Sequence, residues 1–270
     1  MGKISRELTV GRQLFAGGMA TLSLGTTPGG RKVVLRQSLP QNVFHWRLRR
    51  GFIRGTKIRQ RLSKHPNFVK SIERGLIGLA PYEIIEYLKD AHNLRAMIAK
   101  EAPIIFMNTR EILRDVANAL GHMFDLGLMH LDVKAENVLI EQRVDDVIVK
   151  VTDFDLSCRA RTKKLRHKSG TEVAMPPEQL MHNMISPQVD VFSFGVLAYD
   201  LVTGRMPFTG PTKKERRWQQ CSVSFIPPPP REQNPDISHA LQDVIMKCLA
   251  KPVDERFANM REVAQAIREA

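Results

Sequence analysis

Alternation of apolar and polar positions dominates the start of the chain. LTVGRQLFAG from Leu8, MATLSLG from Met19 and KVVLRQ from Lys32 are short β-prone runs separated by Gly-rich turns, with TPGGR at 27–31 as a hairpin turn. Residues 43–64 predict a helix with an imperfect apolar stripe of Phe44, Leu48, Phe52, Ile58 and Leu62, ended by Pro66. FVKSIERG and PYEIIEYL predict a second strand pair. Helical spacing then takes over in NLRAMIAKE and TREILRDVANALGHMFDLG, followed by short strands in ENVLI and VIVKVTDFD around the turn RVDD. Residues 156–186 show no periodicity. VDVFSFGVLAYDLVTG reads as a buried helix stopped by Gly204, FIPPPPREQNP as a rigid surface connector, and HALQDVIMKCLA and NMREVAQAIREA as closing helices. The pattern predicts an α+β, bilobal chain: a small β-rich lobe with one main helix, a connector near Glu86–Asp90, and a larger helical lobe. A cleft between two such lobes is a usual place for a small-molecule site.

Composition narrows this only a little. The 270 residues are 43% hydrophobic and 26% charged, the profile of a soluble globular protein, with no apolar run of spanning length and no basic-then-apolar opening. Cys158, Cys221 and Cys248 lie too far apart for a disulfide framework or a zinc knuckle, which suits a reducing, cytoplasmic setting. Charge changes the picture more. The net charge is +13, and no Asp or Glu occurs between Arg36 and Glu73. WRLRRGFIRGTKIRQRLSKHPNFVK carries nine Arg and Lys. Such a block attracts phosphates or an acidic protein surface, or it is simply a solvated helix face. No aromatic platform or base-reading motif accompanies it, so no specific nucleic acid is predicted.

The candidate chemistry lies in HLDVKAEN, His130–Asn137. A carboxylate such as Asp132 can orient a hydroxyl and accept its proton. Lys134 can neutralise a transferring phosphoryl group, and the Asn137 oxygen can ligate a hard cation. Asp153, 16 residues beyond Asn137 at the end of an apolar strand, can supply a second oxygen.

These residues resemble the eukaryotic-type serine/threonine protein kinases that bacteria also contain. HLDVKAEN resembles the H-R-D-L-K-x-x-N loop and DFD, Asp153–Asp155, the D-F-G element. GTEVAMPPEQ, from Gly170, resembles the end of the activation segment. DVFSFGVLAYDLVTGRMPF, from Asp190, resembles the helix that opens on a structural aspartate, and DERF, from Asp254, the late arginine element. The resemblance implies a kinase-like domain over 8–268, with an N-lobe at 8–86, a hinge at 86–90 and a C-lobe at 91–268. It implies ATP and Mg2+ as cofactors and a protein substrate or regulatory partner, with an acidic surface to match the basic block. By the same resemblance Asp132 and Lys134 are catalytic, and Asn137 and Asp153 hold magnesium. Gly17 and Gly18 belong to the phosphate loop. Leu22, Val34 and Leu139 enclose adenine, Glu86–Leu88 form the hinge and Ile85 guards the back pocket. Glu178 and Arg256 form a structural ion pair, and Asp190 holds the catalytic-loop backbone. Lys134 and Thr171 favour serine/threonine over tyrosine kinases. His130 and Phe154 are core residues.

Departures gather in the first lobe. The phosphate loop reads FAGGMATL, keeping only Gly17 in place beside Gly18. The V-A-I-K lysine is replaced by Arg36, a non-conservative change, and Lys32 on the same strand face lies too early to replace it. The helix position facing that lysine falls at Gly55, or at Arg54 or Thr56, none of them acidic. Arg36 is therefore expected to lack a helix partner, with Arg54, Lys57 and Arg61 repelling the helix or drawing in ATP phosphate. Elsewhere, Leu131 replaces the arginine that receives a phosphorylated residue, so Thr162 or Ser169 loses its usual receptor. Asp155 replaces the D-F-G glycine, which adds a carboxylate beside the metal site. Ala174 and Pro176 alter the substrate platform. Two readings follow: an atypical serine/threonine kinase of low activity, or a pseudokinase acting as a binding or allosteric scaffold.

Overall fold

The computed structural model describes residues 7–143, 146–165 and 170–270. The chain forms two compact units, one of residues 7–90 with Thr152–Asp155, the other of Ala91–Val151 with Leu156–Ala270.

The first unit is a five-stranded antiparallel sheet and one long helix. Its strands are β1 (Thr9–Ala16), β2 (Ala20–Thr26), β3 (Lys32–Ser38), β4 (Ser71–Ile77) and β5 (Ala80–Glu86), in the order β1-β2-β3-β5-β4, and α1 is Trp46–Leu62. Gly30, at φ 77°, closes the β2–β3 hairpin, where a side chain would be strained. Alternation along β3 sends Val33 and Leu35 into a cluster with Tyr82 and Ile84. The same alternation sends Val34 and Arg36 to the other face, which α1 packs against through Phe52. The helix begins at Trp46, three residues after the expected start at residue 43, because Pro40–Asn42 takes a 3-10 turn. Its polar half is solvated: Arg47, Arg50, Arg54, Lys57 and Arg61 are exposed, while Arg59 is buried.

The second unit is mainly helical. It contains the short strand β6 (His92–Asn93), helices α2 (Leu94–Ala99), α3 (Pro103–Met107) and α4 (Thr109–Asp125), and strands β7 (Leu128–Met129), β8 (Val138–Gln142), β9 (Val147–Val151) and β10 (Cys158–Arg159). Then come α5 (Pro177–His182), α6 (Gln188–Thr203), α7 (Lys213–Cys221), α8 (His239–Cys248) and α9 (Met260–Glu269). Helix α6 is buried from Val189 to Val202 and ends on Gly204 at φ 68°. It is apolar on every side because neighbouring elements cover it all round. The proline-rich stretch is not a free connector. Tyr199 Oη donates to the Pro228 carbonyl at 3.0 Å and Asn234 Nδ2 to the Val202 carbonyl at 2.8 Å, binding it to α6.

Helices α3, α5 and α7 fall where no element was predicted, α5 within the stretch 156–186 that shows no periodicity. α7 had a signal: Thr212 accepts from the Glu215 amide and Glu215 bonds back to the Thr212 amide, a complete capping box. No helix of the described residues is long and apolar enough to cross a membrane.

Candidate catalytic loop and its neighbours

Helix α4 ends at Asp125, and Gly127, at φ 68°, turns the chain into β7. The loop that follows bends sharply at Leu131, whose φ of 65° is costly for a branched side chain. Asp190, at the start of α6, compensates for it. Its Oδ2 accepts the His130 amide at 2.7 Å and its Oδ1 the Leu131 amide at 2.8 Å. Burial raises the Asp190 carboxyl above its ordinary pKa even though the two amides favour the anion. His130 is fully buried and its Nδ1 accepts the Asp132 amide at 3.3 Å.

Asp132 is the centre of the site. Its Oδ1 accepts the Thr171 amide at 3.1 Å and the Thr171 hydroxyl at 2.9 Å. Its Oδ2 accepts Lys134 Nζ at 2.8 Å and Asn137 Nδ2 at 3.0 Å. Lys134 also donates to Thr171 Oγ1 at 2.7 Å. Burial pushes the Asp132 carboxyl up, but Lys134 and Thr171 outweigh it and hold the group below its ordinary range. Gly170, at φ 116°, lets the segment lie against this loop, since a Cβ there would approach the Leu131 carbonyl oxygen to 3.0 Å. Beside Lys134 and Thr171 opens a cavity of about 210 Å³ that also takes in Glu136, Ala174, Ser193 and Asp200.

Asn137 spends its amide nitrogen on Asp132, donating also to the Asp132 carbonyl at 2.8 Å. That orientation leaves the amide oxygen as the atom available to a hard cation. Asp153 is half-buried, with φ 65°, and Leu139 is half-buried in β8. In the first unit, Gly17 and Gly18 form the β1–β2 turn, with Gly17 N donating to the Ala20 carbonyl at 3.0 Å and Asn42 Nδ2 holding the Gly18 carbonyl at 2.9 Å. Leu22 pairs with Arg36 across β2–β3, and Val34 with Ile85 across β3–β5. The Glu86 carboxylate accepts the Lys70 amide at 2.8 Å, and Leu88 is half-buried.

The end of the activation segment is held firmly. Arg256 forms a fork to Glu178 at 2.8 and 3.0 Å and donates to the Lys251 carbonyl at 2.9 Å. Ser193 Oγ donates to the Ala174 carbonyl at 2.8 Å, and Pro176 precedes α5. Leu131 does not leave an empty receptor. It is buried with Met129, Ile185 and Val189 among Leu156, Cys158, Ala160 and Leu165. Thr162 N donates to the Arg159 carbonyl at 2.9 Å; Ser169 lies outside the described residues.

Two expectations about the first unit are corrected: Asp155 does not stand free beside a metal site, and the arginines of α1 do not drive the helix off. Arg36 has no carboxylate partner on α1, but it has one elsewhere. Arg36 Nη2 pairs with Asp155 Oδ2, a buried ion pair, and its guanidinium lies 4.3 Å from the Phe52 ring centre. Arg54 donates to the Asp155 carbonyl at 2.7 Å. Arg59, buried, pairs with Glu83 at 2.7 Å, and its guanidinium lies 5.3 Å from the Phe154 ring centre. Lys57 and Arg61 point to solvent, where repulsion is screened. Asp155 is therefore committed to Arg36 rather than standing free beside a metal. Lys32 lies 6.0 Å from the Tyr87 ring centre, away from this pair.

The protein kinase domain family matches residues 8–267. Serine/threonine-protein kinase Pkn1 of Myxococcus xanthus is 30% identical over 76% of this chain and 30% of its own length. Serine/threonine-protein kinase PknB of Mycolicibacterium smegmatis is 30% identical over 74% and 32% respectively. A probable serine/threonine-protein kinase of Clostridium acetobutylicum is 27% identical over 73% and 30%. The matched part is thus about a third of each of these relatives. With its two units, its helix-borne Asp190 and its Asp132 loop, this chain belongs to the protein kinase domain family.

Proposed function

We propose that this domain is an atypical serine/threonine protein kinase, slow but active, that transfers the γ-phosphate of ATP to a protein hydroxyl. The observation that carries this reading is the Asp132 carboxylate, held ionised by Lys134 and Thr171. A mere scaffold gains nothing from keeping such a charge in a buried loop. Thr171 illustrates what the site does to a hydroxyl: it donates to Asp132 at 2.9 Å while Lys134 approaches its oxygen at 2.7 Å. A substrate hydroxyl in that setting would be oriented by Asp132 and surrender its proton there as its oxygen bonds to phosphorus and ADP departs. Bound ATP with magnesium supplies the phosphoryl group and neutralises its charge, through the Asn137 oxygen and Asp153. Gly17, Gly18, Leu22, Val34, Arg36, Glu86, Leu88 and Leu139 complete the nucleotide site in this reading, over a domain of 8–268. The solvated arginines of α1 favour a protein partner with an acidic surface, in a cytoplasmic setting.

A pseudokinase is the second reading. It is favoured by Arg36, whose charge is largely taken up by Asp155 and whose side chain is only 9% exposed. Titration with ATP, with and without magnesium, beside Asp153→Asn, separates the two. Magnesium-dependent binding lost in the variant, followed by phosphotransfer lost in Asp132→Asn, supports the kinase. No binding at millimolar ATP supports the pseudokinase.

A further inference from the structure

Asp155 reaches Arg36 only because α1 is cut away in front of it. A Cβ at Gly55 would lie 2.3 Å from Asp155 Oδ1 and 3.1 Å from its Cα and N, and one at Gly51 would lie 3.3 Å from its carbonyl oxygen. No side chain fits at residue 55 while Asp155 keeps this position. The helix supplies no carboxylate of its own between Trp46 and Leu62. Instead its Arg54 grips the Asp155 carbonyl at 2.7 Å and its Phe52 ring backs the Arg36 guanidinium. Burial alone would lower the Arg36 pKa, but Asp155, Asp153 and Glu83 raise it above its ordinary value, so the guanidinium stays charged. Each end of the pair keeps an unspent atom: Arg36 Nη1 and Asp155 Oδ1 are buried and have no hydrogen-bond partner.

We infer that Asp155 is a positioning residue that takes over the work of the absent helix carboxylate. It enters from the Thr152–Asp155 segment through the gap at Gly55, fixes Arg36 on β3 and ties α1 to that segment. Arg36 Nη1 is left as the donor for an anionic oxygen such as that of a nucleotide phosphate. Three departures that look like separate losses, Arg36, Gly55 and Asp155, are one relocated charge pair. The link from Arg36 to nucleotide rests on the kinase reading above; the pair and its hold on α1 do not.

The test moves the carboxylate back. In the full chain, Asp155→Gly, Gly55→Glu and the double variant are compared by hydrogen exchange of the α1 amides and by titration with ADP. Asp155→Gly is expected to weaken ADP binding about tenfold or more, the weight of a charge-assisted hydrogen bond, and to raise exchange in α1. Gly55→Glu alone, colliding with Asp155, should do the same or worse, and the double variant should recover part of both, since the 3.1 Å approach to the residue 155 backbone remains. Near-wild-type behaviour of Asp155→Gly, or a double variant no better than Asp155→Gly, overturns the inference. A double-mutant cycle of Arg36→Met with the shape-conserving Asp155→Asn, read by urea unfolding, covers the case in which the glycine variants fail to fold. Non-additive effects support the pair and additive effects remove it. If wild-type protein binds no ADP, the kinase reading fails, and exchange and the cycle still decide the pair.

Discussion

The two units treat their charged residues in opposite ways. In the second, neighbours saturate the carboxylates of the 130–137 loop and of the helix that holds it: Asp132 receives four donors and Asp190 two. In the first, the family pattern is broken at Arg36, Gly55 and Asp155, yet the charges still find one another. The lesson concerns what a motif records. A loop is defined by residues two and five apart, so its motif and its geometry stand or fall together. A charge pair between distant segments is defined by opposite signs meeting in one buried place, and different chain positions can satisfy that.

The sharpest way to break this comparison is to disable the loop and leave the pair alone. Asp132→Asn is expected to cut phosphotransfer by about 10²–10⁴-fold while the protein stays folded with a modestly lower unfolding midpoint, measured by initial rates and thermal melts. Equal rates would leave the loop without a chemical role. A structural member of the second unit should show the reverse. Arg256→Ala strips the fork from Glu178 and leaves buried acceptors unpaired, so urea unfolding should show a loss of about 3–5 kcal/mol.

A milder intervention restores the family residue at the loop. Leu131→Arg puts a cation into the apolar cluster with Met129, Ile185 and Leu165. We expect a loss of about 3–5 kcal/mol, the cost of an uncompensated buried charge, and no gain in rate from adding Thr162→Glu. A stable variant that responds to Thr162→Glu would show that the cluster merely occupies a working receptor.

The smallest effect is a pH dependence. The Asp132 carboxyl lies below its ordinary 3.8 when folded. Its ionised contacts therefore stabilise the protein above that pH, and the contribution disappears as pH falls through the lowered value. The stability gap between wild type and Asp132→Asn should be level from pH 7 to 5 and close only in stronger acid. A gap that closes near pH 6 would mean the Lys134 and Thr171 contacts do not hold in solution.

Much of this was legible in the sequence, for reasons specific to each region. The α+β division followed from the switch between period-two and helical spacing near residue 90. The loop HLDVKAEN and the helix opening on Asp190 could be read because their information is local. Asp155 as the partner of Arg36 could not, since the two are 119 residues apart and Gly55 contributes by having no side chain. The repulsion expected along α1 counted charges without faces: Lys57 and Arg61 are solvated, while Arg59 is buried against Glu83. Helix α7 was overlooked because KKERRWQQC has almost no apolar stripe; the capping box at Thr212 and Glu215 was the cue.

The fit of Asp155 against Gly55 also constrains the order in which sequence changes can accumulate. With the carboxylate at 155 in its present position, every side chain at 55 collides with it; with a side chain at 55, the carboxylate would have to leave that position. A route from the family pattern must empty residue 55 before it fills residue 155, and passes through a form in which the β3 cation has neither partner. Reversal must cross the same form. Once both substitutions are in place, single changes at either position meet a barrier, and the relocated pair is held by the path as well as by its contacts.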